Sequence, residues 1–164
     1  MKYFLFLAAL ITAVLFSCNH SATNKLALQQ RIDSLDYKLA HTYKPGFGEF
    51  MTGVQTHHAK LWFAGQNQNW ELAGFEINEI KESINGIREY CTDRYETGSI
   101  GIIDPAMDSI SSAIQHKSLS QFKSSYVLLT NTCNECHRAT SHAFNVIKIP
   151  DTPPFSNQDF KAGQ

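Results

Sequence analysis

Cys133, Cys136 and His137 stand together in the stretch Cys133-Asn134-Glu135-Cys136-His137. Two thiols three positions apart, followed at once by an imidazole, suit one chemistry above others: covalent attachment of a c-type haem. Each thiol can form a thioether with a porphyrin vinyl group, and the adjacent imidazole then meets the iron as its fifth ligand. On a helix, positions 133, 136 and 137 share one side, so a single face can grip the macrocycle and its metal. With four Cys and seven His in 164 residues, composition alone would produce this pattern about 0.004 times, so chance does not account for it. A zinc site would need four ligands, and a second Cys pair is missing. A thioredoxin-like dithiol would need a βαβ setting, whereas the flanks here read as helix.

A haem iron held by His137 has a sixth position, which takes a ligand, a water or nothing. The first helix of the domain, expected from about Gly48 to Gln66, offers two candidates. Its apolar stripe is Phe47, Met51, Val54, His58, Leu61 and Trp62. Met51 and His58 both lie on it, and His57 is rotated about 100° away. They are seven residues apart, roughly 10 Å along the axis, so one iron cannot take both. Met51 is the distal candidate and His58 its alternative.

The other elements follow from periodicity. Asn67 or Asn69 caps a second helix whose inner stripe is Trp70, Ala73, Ile77, Ile80, Ile84, Ile87 and Cys91, with Cys91 a buried free thiol. Thr92 to Ile103 carries Gly98 and Gly101 and reads as a loop. Asp104-Pro105 signals a helix start, Asp104 as cap and Pro105 at the first position. The third helix is short and turns Met107, a weaker ligand candidate, inward. Ser118 caps the last helix, with the face Phe122, Tyr126, Leu129, Cys133, Cys136, Thr140 and Phe144. From Pro150 the chain is too rich in Pro for helix, and Phe155 and Phe160 suggest a tail lying over the bundle.

Segment 1–17 reads as a targeting signal: Lys2, then an apolar run from Phe4 to Phe16, too short to span a bilayer. Leu15-Phe16-Ser17-Cys18 resembles the lipobox of bacterial lipoproteins, which implies cleavage before Cys18 and lipidation of its thiol. Residues 18–45 are a tether and an N-terminal helix, on which Leu28, Ile32, Leu35 and Leu39 form an a/d seam. That seam suits packing on the domain, a spacer from the membrane, or a homodimer. Residues 46–149 are the four-helix domain and 150–164 the extended Pro-rich tail. The expected fold is therefore all-α: a four-helix bundle carrying one covalently bound haem, with an extra N-terminal helix and a C-terminal tail. Forty-three per cent apolar residues, 18% charged residues and a net charge of −1 are ordinary for a globular protein and give no electrostatic case for nucleic acid.

A helical bundle with this motif on its last helix resembles the class II c-type cytochromes, the cytochrome c-prime and cytochrome c556 group. In that group an early residue of the first helix faces the distal side, Met in the low-spin members. The resemblance implies that Met51 corresponds. The stretch Gln55-Thr56-His57-His58-Ala59-Lys60-Leu61-Trp62-Phe63-Ala64-Gly65, with Asn69-Trp70 after it, also resembles a set of exported bacterial haem proteins of unassigned role. The N-terminal helix, the tail and His58 depart from the class II pattern.

These readings lead to an exported c-type cytochrome, lipid-anchored to a bacterial membrane in the periplasm or cell envelope. It would bind one haem c and pass single electrons to redox partner proteins. No residue argues for a nucleophile or general acid, so no enzyme is expected. The rivals are a haem-based gas-binding or sensing protein and a haem-free helical surface lipoprotein.

Overall fold

The computed structural model describes residues 24–162. The signal segment and the lipidation candidate Cys18 lie outside the described residues. The described chain is all-α, with no strand among these residues, and divides into two units, one ending at Lys44 and the other beginning at Pro45.

Helix α1 occupies residues 24–40 of the first unit. Its seam residues Leu28, Ile32, Leu35 and Leu39 are exposed. The hydroxyl of Thr42 donates to the carbonyl of Lys38 and so occupies one of the terminal acceptors.

The second unit holds α2 (Phe47–Gln66), α3 (Trp70–Tyr90), a 3-10 segment (Tyr95–Ile103), α4 (Asp104–Gln115) and α5 (Leu119–Ala139). They pack as a helical bundle, α2 chiefly on α3 and α4 on α5, with the 3-10 segment against α5. The expected stripes form its core. Leu61, Ile77, Ile80, Ile84, Ile87, Ile110, Phe122, Tyr126 and Leu129 are almost wholly buried. Met107 and Cys91 are buried among them.

Caps follow local chemistry. Asn69 accepts from the Leu72 amide at the start of α3, and Ser118 accepts from the Gln121 amide at the start of α5. At their C-terminal ends, α2, α4 and α5 all turn back through a residue of positive φ: Gln68 (54°), Lys117 (52°) and Ser141 (62°). In each case the next amide reaches back across the turn, from Asn69 to Ala64, Ser118 to Ala113 and His142 to His137. These left-handed turns make the connections short. Two glycines let helices approach closely: a Cβ at Gly65 would meet the Phe122 ring at 2.0 Å, and one at Gly86 would meet the Phe50 ring at 2.4 Å.

Three expectations change. Tyr95–Ile103 is a 3-10 helix and not an open loop, because Ile100 and Ile103 supply it with a buried edge. Asp104 does not cap α4. It is the first helical residue, and its carboxylate accepts two hydrogen bonds from Arg88 at 2.7 and 2.8 Å. Helix α5 ends at Ala139, so Phe144 lies beyond it and is 82% exposed. The tail does lie on the bundle. Phe160, 5% exposed, packs against Phe63 with ring centroids 5.7 Å apart, and Nδ2 of the Asn69 side chain donates to the carbonyl of Lys161.

Candidate functional site

A cavity of about 360 Å³ opens between α2, the 3-10 segment and α5. One wall is the early part of α2, with Phe47, Met51, Val54 and His58. The facing wall is the end of α5, with Cys133, Cys136 and His137. Ile84, Ile100 and Ile103 form the floor, and Arg94, Glu96, Thr140, His142 and Asn145 give it a polar rim. An apolar cleft with a few converging polar groups is the usual form of a cofactor site. All five residues singled out for haem binding therefore border one space, although the motif and Met51 lie more than eighty positions apart in the chain.

On the α5 wall, His137 places Nδ1 2.6 Å from the carbonyl oxygen of Asn145. A carbonyl only accepts, so Nδ1 carries the proton, and in the neutral ring Nε2 is left with the lone pair. Metal-binding imidazoles are commonly prepared in this way, the second nitrogen fixing tautomer and orientation. Burial pushes the Cys133 thiol up to about 12 and raises that of Cys136. Both therefore stay as S–H near neutral pH. Among the described residues, no cluster of three or more His, Cys, Asp or Glu is arranged to hold a metal ion by itself.

On the α2 wall, the two distal candidates differ. Met51 is half-buried and packs at the margin of the core. His58 is buried and already engaged at both nitrogens. Its Nε2 lies 3.0 Å from Thr130 Oγ1, and its Nδ1 lies 3.0 Å from the Tyr126 hydroxyl. The Thr130 hydroxyl donates to the carbonyl of Tyr126, so it accepts from His58 and Nε2 carries the proton. Nδ1 then carries the lone pair and faces the Tyr126 hydroxyl, whose single proton goes to the His58 carbonyl. Burial lowers the His58 pKa to about 4, so the ring is neutral. Both nitrogens face hydroxyls, those of Thr130 and Tyr126, that do not border the cavity. His58 is a satisfied core histidine that happens to border the cavity.

His57, rotated off the stripe as expected, leaves the cavity and donates from Nδ1 to Glu76 at 2.6 Å on α3. Glu76 is fully buried, with its other oxygen 4.0 Å from Lys60. Lys60 also lies over the ring of Phe155 at 5.3 Å, so its charge is shared between the tail and Glu76.

Sequence reasoning missed the rim. Arg138, the neighbour of His137, is exposed and does not border the cavity, because one helical step turns it about 100° away. The bordering cation is Arg94, from a segment read as loop. It donates to both oxygens of Glu96, at 2.7 and 3.2 Å, and holds that buried carboxyl below the usual carboxylate range. The only linear signal was the pair Arg94…Glu96 beside a run of apolar residues. Asn145 carried no signal at all, since it acts through its backbone.

The chain matches no family model, no curated protein sequence and no solved structure.

Proposed function

We propose that this chain is an exported c-type cytochrome that holds one covalently bound haem c and passes single electrons between partner proteins. One observation carries the reading: the two thiols and the free Nε2 of the Cys133–His137 motif and the thioether of Met51 border a single cavity of about 360 Å³ from opposite walls. Cys133 and Cys136 would hold the porphyrin by adding their S–H bonds across its two vinyl groups. His137 would be the proximal ligand through Nε2. Met51 would be the distal ligand in preference to His58, whose nitrogens both face buried hydroxyls away from the cavity. Arg94, at the rim, would face the propionates. When bound, the haem supplies a one-electron ferric/ferrous couple. The protein's share is to exclude water with Phe47, Val54, Ile84, Ile100 and Ile103 and to set ligand orientation. Lipidation at Cys18 would tie the domain to a membrane, and the a/d seam of α1 would serve as spacer or homodimer contact.

The test is expression with a c-type haem maturation system, followed by mass spectrometry and a pyridine haemochrome spectrum. An added tetrapyrrole mass that disappears in the Cys133→Ala/Cys136→Ala variant supports the reading. A mature protein with no tetrapyrrole overturns it. If haem is attached but the spectrum is high-spin and unmoved by Met51→Ala, the gas-binding reading replaces electron transfer.

A further inference from the structure

Thioether formation asks nothing of the two residues between the cysteines, yet the carboxamide of Asn134 is used in full. Its Oδ1 accepts from the amide of Ile147 at 2.8 Å, and its Nδ2 donates to the carbonyl of Ile147 at 2.8 Å. Nδ2 also donates to the carbonyl of Thr130 at 3.1 Å, which ties it to its own helix. A side chain thus pairs with both polar groups of one backbone residue thirteen positions later, as a strand neighbour would.

The pairing has a consequence for His137. The chain leaves α5 at Ser141 and doubles back. His142 donates to the carbonyl of His137 at 2.7 Å, and Asn145 donates to the carbonyl of His142 at 2.8 Å. The returning segment is neither helix nor strand from Phe144 to Val146, and it is not held by burial there: Phe144 and Val146 are 82% and 72% exposed. Between the turn at Ser141 and the grip at Ile147 sits Asn145, whose carbonyl oxygen accepts from Nδ1 of His137. Two fixed points hold the segment, and the carbonyl that orients the imidazole lies between them.

We propose that Asn134 is a positioning residue for His137: by gripping Ile147 it keeps the Asn145 carbonyl on Nδ1, so that Nε2 faces the cavity in one fixed orientation. The inference rests on the haem reading for its functional meaning and deepens it. A fixed Nδ1–H···O=C bond makes the imidazole a stronger donor and favours ferric iron, so loosening the grip raises the potential.

Two readouts test this on the full chain. In the holoprotein, Asn134→Ala keeps covalent attachment, because both cysteines and His137 remain. It raises the reduction potential and broadens the low-spin magnetic resonance signal into several species. Asn134→Asp, which keeps the acceptor for the Ile147 amide, falls between the two and remains informative if the alanine variant folds poorly. A core variant away from the cavity, Ile110→Val, leaves the potential where it was, which separates positioning from general loosening. In the haem-free protein, nitrogen-15 spectra of His137 show a single protonated Nδ1 in the wild type and a tautomer mixture in Asn134→Ala. This second arm stands even where no haem is attached, so failure of the haem reading and failure of this one are distinct results. An unchanged potential in Asn134→Ala and Asn134→Asp, or an unchanged His137 tautomer in the haem-free variants, overturns the proposal.

Discussion

The two walls of the cavity each present a histidine, and the histidines are prepared for opposite ends. His137 commits one nitrogen to a carbonyl and keeps the other for the cavity. His58 turns both toward buried hydroxyls, one to Thr130 and one to Tyr126, and burial holds it neutral. Bordering a cavity is thus a poor criterion for ligation. The useful question is where each lone pair goes, since a nitrogen already hydrogen-bonded in a buried network gives up about 1–3 kcal/mol before it can bind anything else.

The difference between the walls is most exposed to test at the ligands. His137→Ala should abolish a normal low-spin haem spectrum, and Met51→Ala should turn the remaining iron high-spin and lower its potential; optical and magnetic resonance spectra of the holoproteins check both. His58→Ala should leave the ligand signature in place and instead cost about 2–4 kcal/mol of stability in urea unfolding, since it strands Thr130 and opens a hole beside Tyr126. A spectrum that follows His58 and ignores Met51 would reverse the assignment of the walls.

Acid probes the same difference. The His58 pKa falls from 6.5 unfolded to about 4 folded, so the folded protein binds fewer protons in that range. Its stabilising share is complete above pH 6.5 and is lost as pH falls through 4, about 3 kcal/mol in all. Urea midpoints measured from pH 7 to 4 should fall in the wild type and stay flatter in His58→Gln. Smaller still is the effect of wall spacing. Gly65→Ala pushes α2 away from Phe122 and should cost about 1–3 kcal/mol, read in the same unfolding experiment. The smallest change is a gain: Ser141→Gly relieves the left-handed backbone after α5 and should add about 1 kcal/mol without moving the His137 tautomer.

Much of this was legible in the sequence because it is local. The cysteine and histidine spacing, the stripes of α2 and α3, and the caps at Asn69 and Ser118 depend on neighbours within a turn or two. The bonding of His58 does not. Its partners Tyr126 and Thr130 are 68 and 72 positions away, and no periodicity on α2 announces them. Arg138 follows His137 in sequence yet does not border the cavity, whereas Arg94 does, because a helix turns consecutive residues about 100° apart. The 3-10 segment was hidden by its two glycines, neither of which adopts a positive φ. Asp104 sat where a cap belongs but found a guanidinium: both of its carboxylate oxygens accept from Nη2 of Arg88.

The tail also sets the order in which the molecule comes together. Phe160 reaches Phe63, and Lys161 reaches Asn69 across 92 positions, so both contacts close a long loop and give little back until the bundle exists. Residues 150–162 must then dock last on the way to the native state and detach first on the way out. Amide exchange along them should be faster than anywhere in α3, and Phe63 would meet water well before the helices separate.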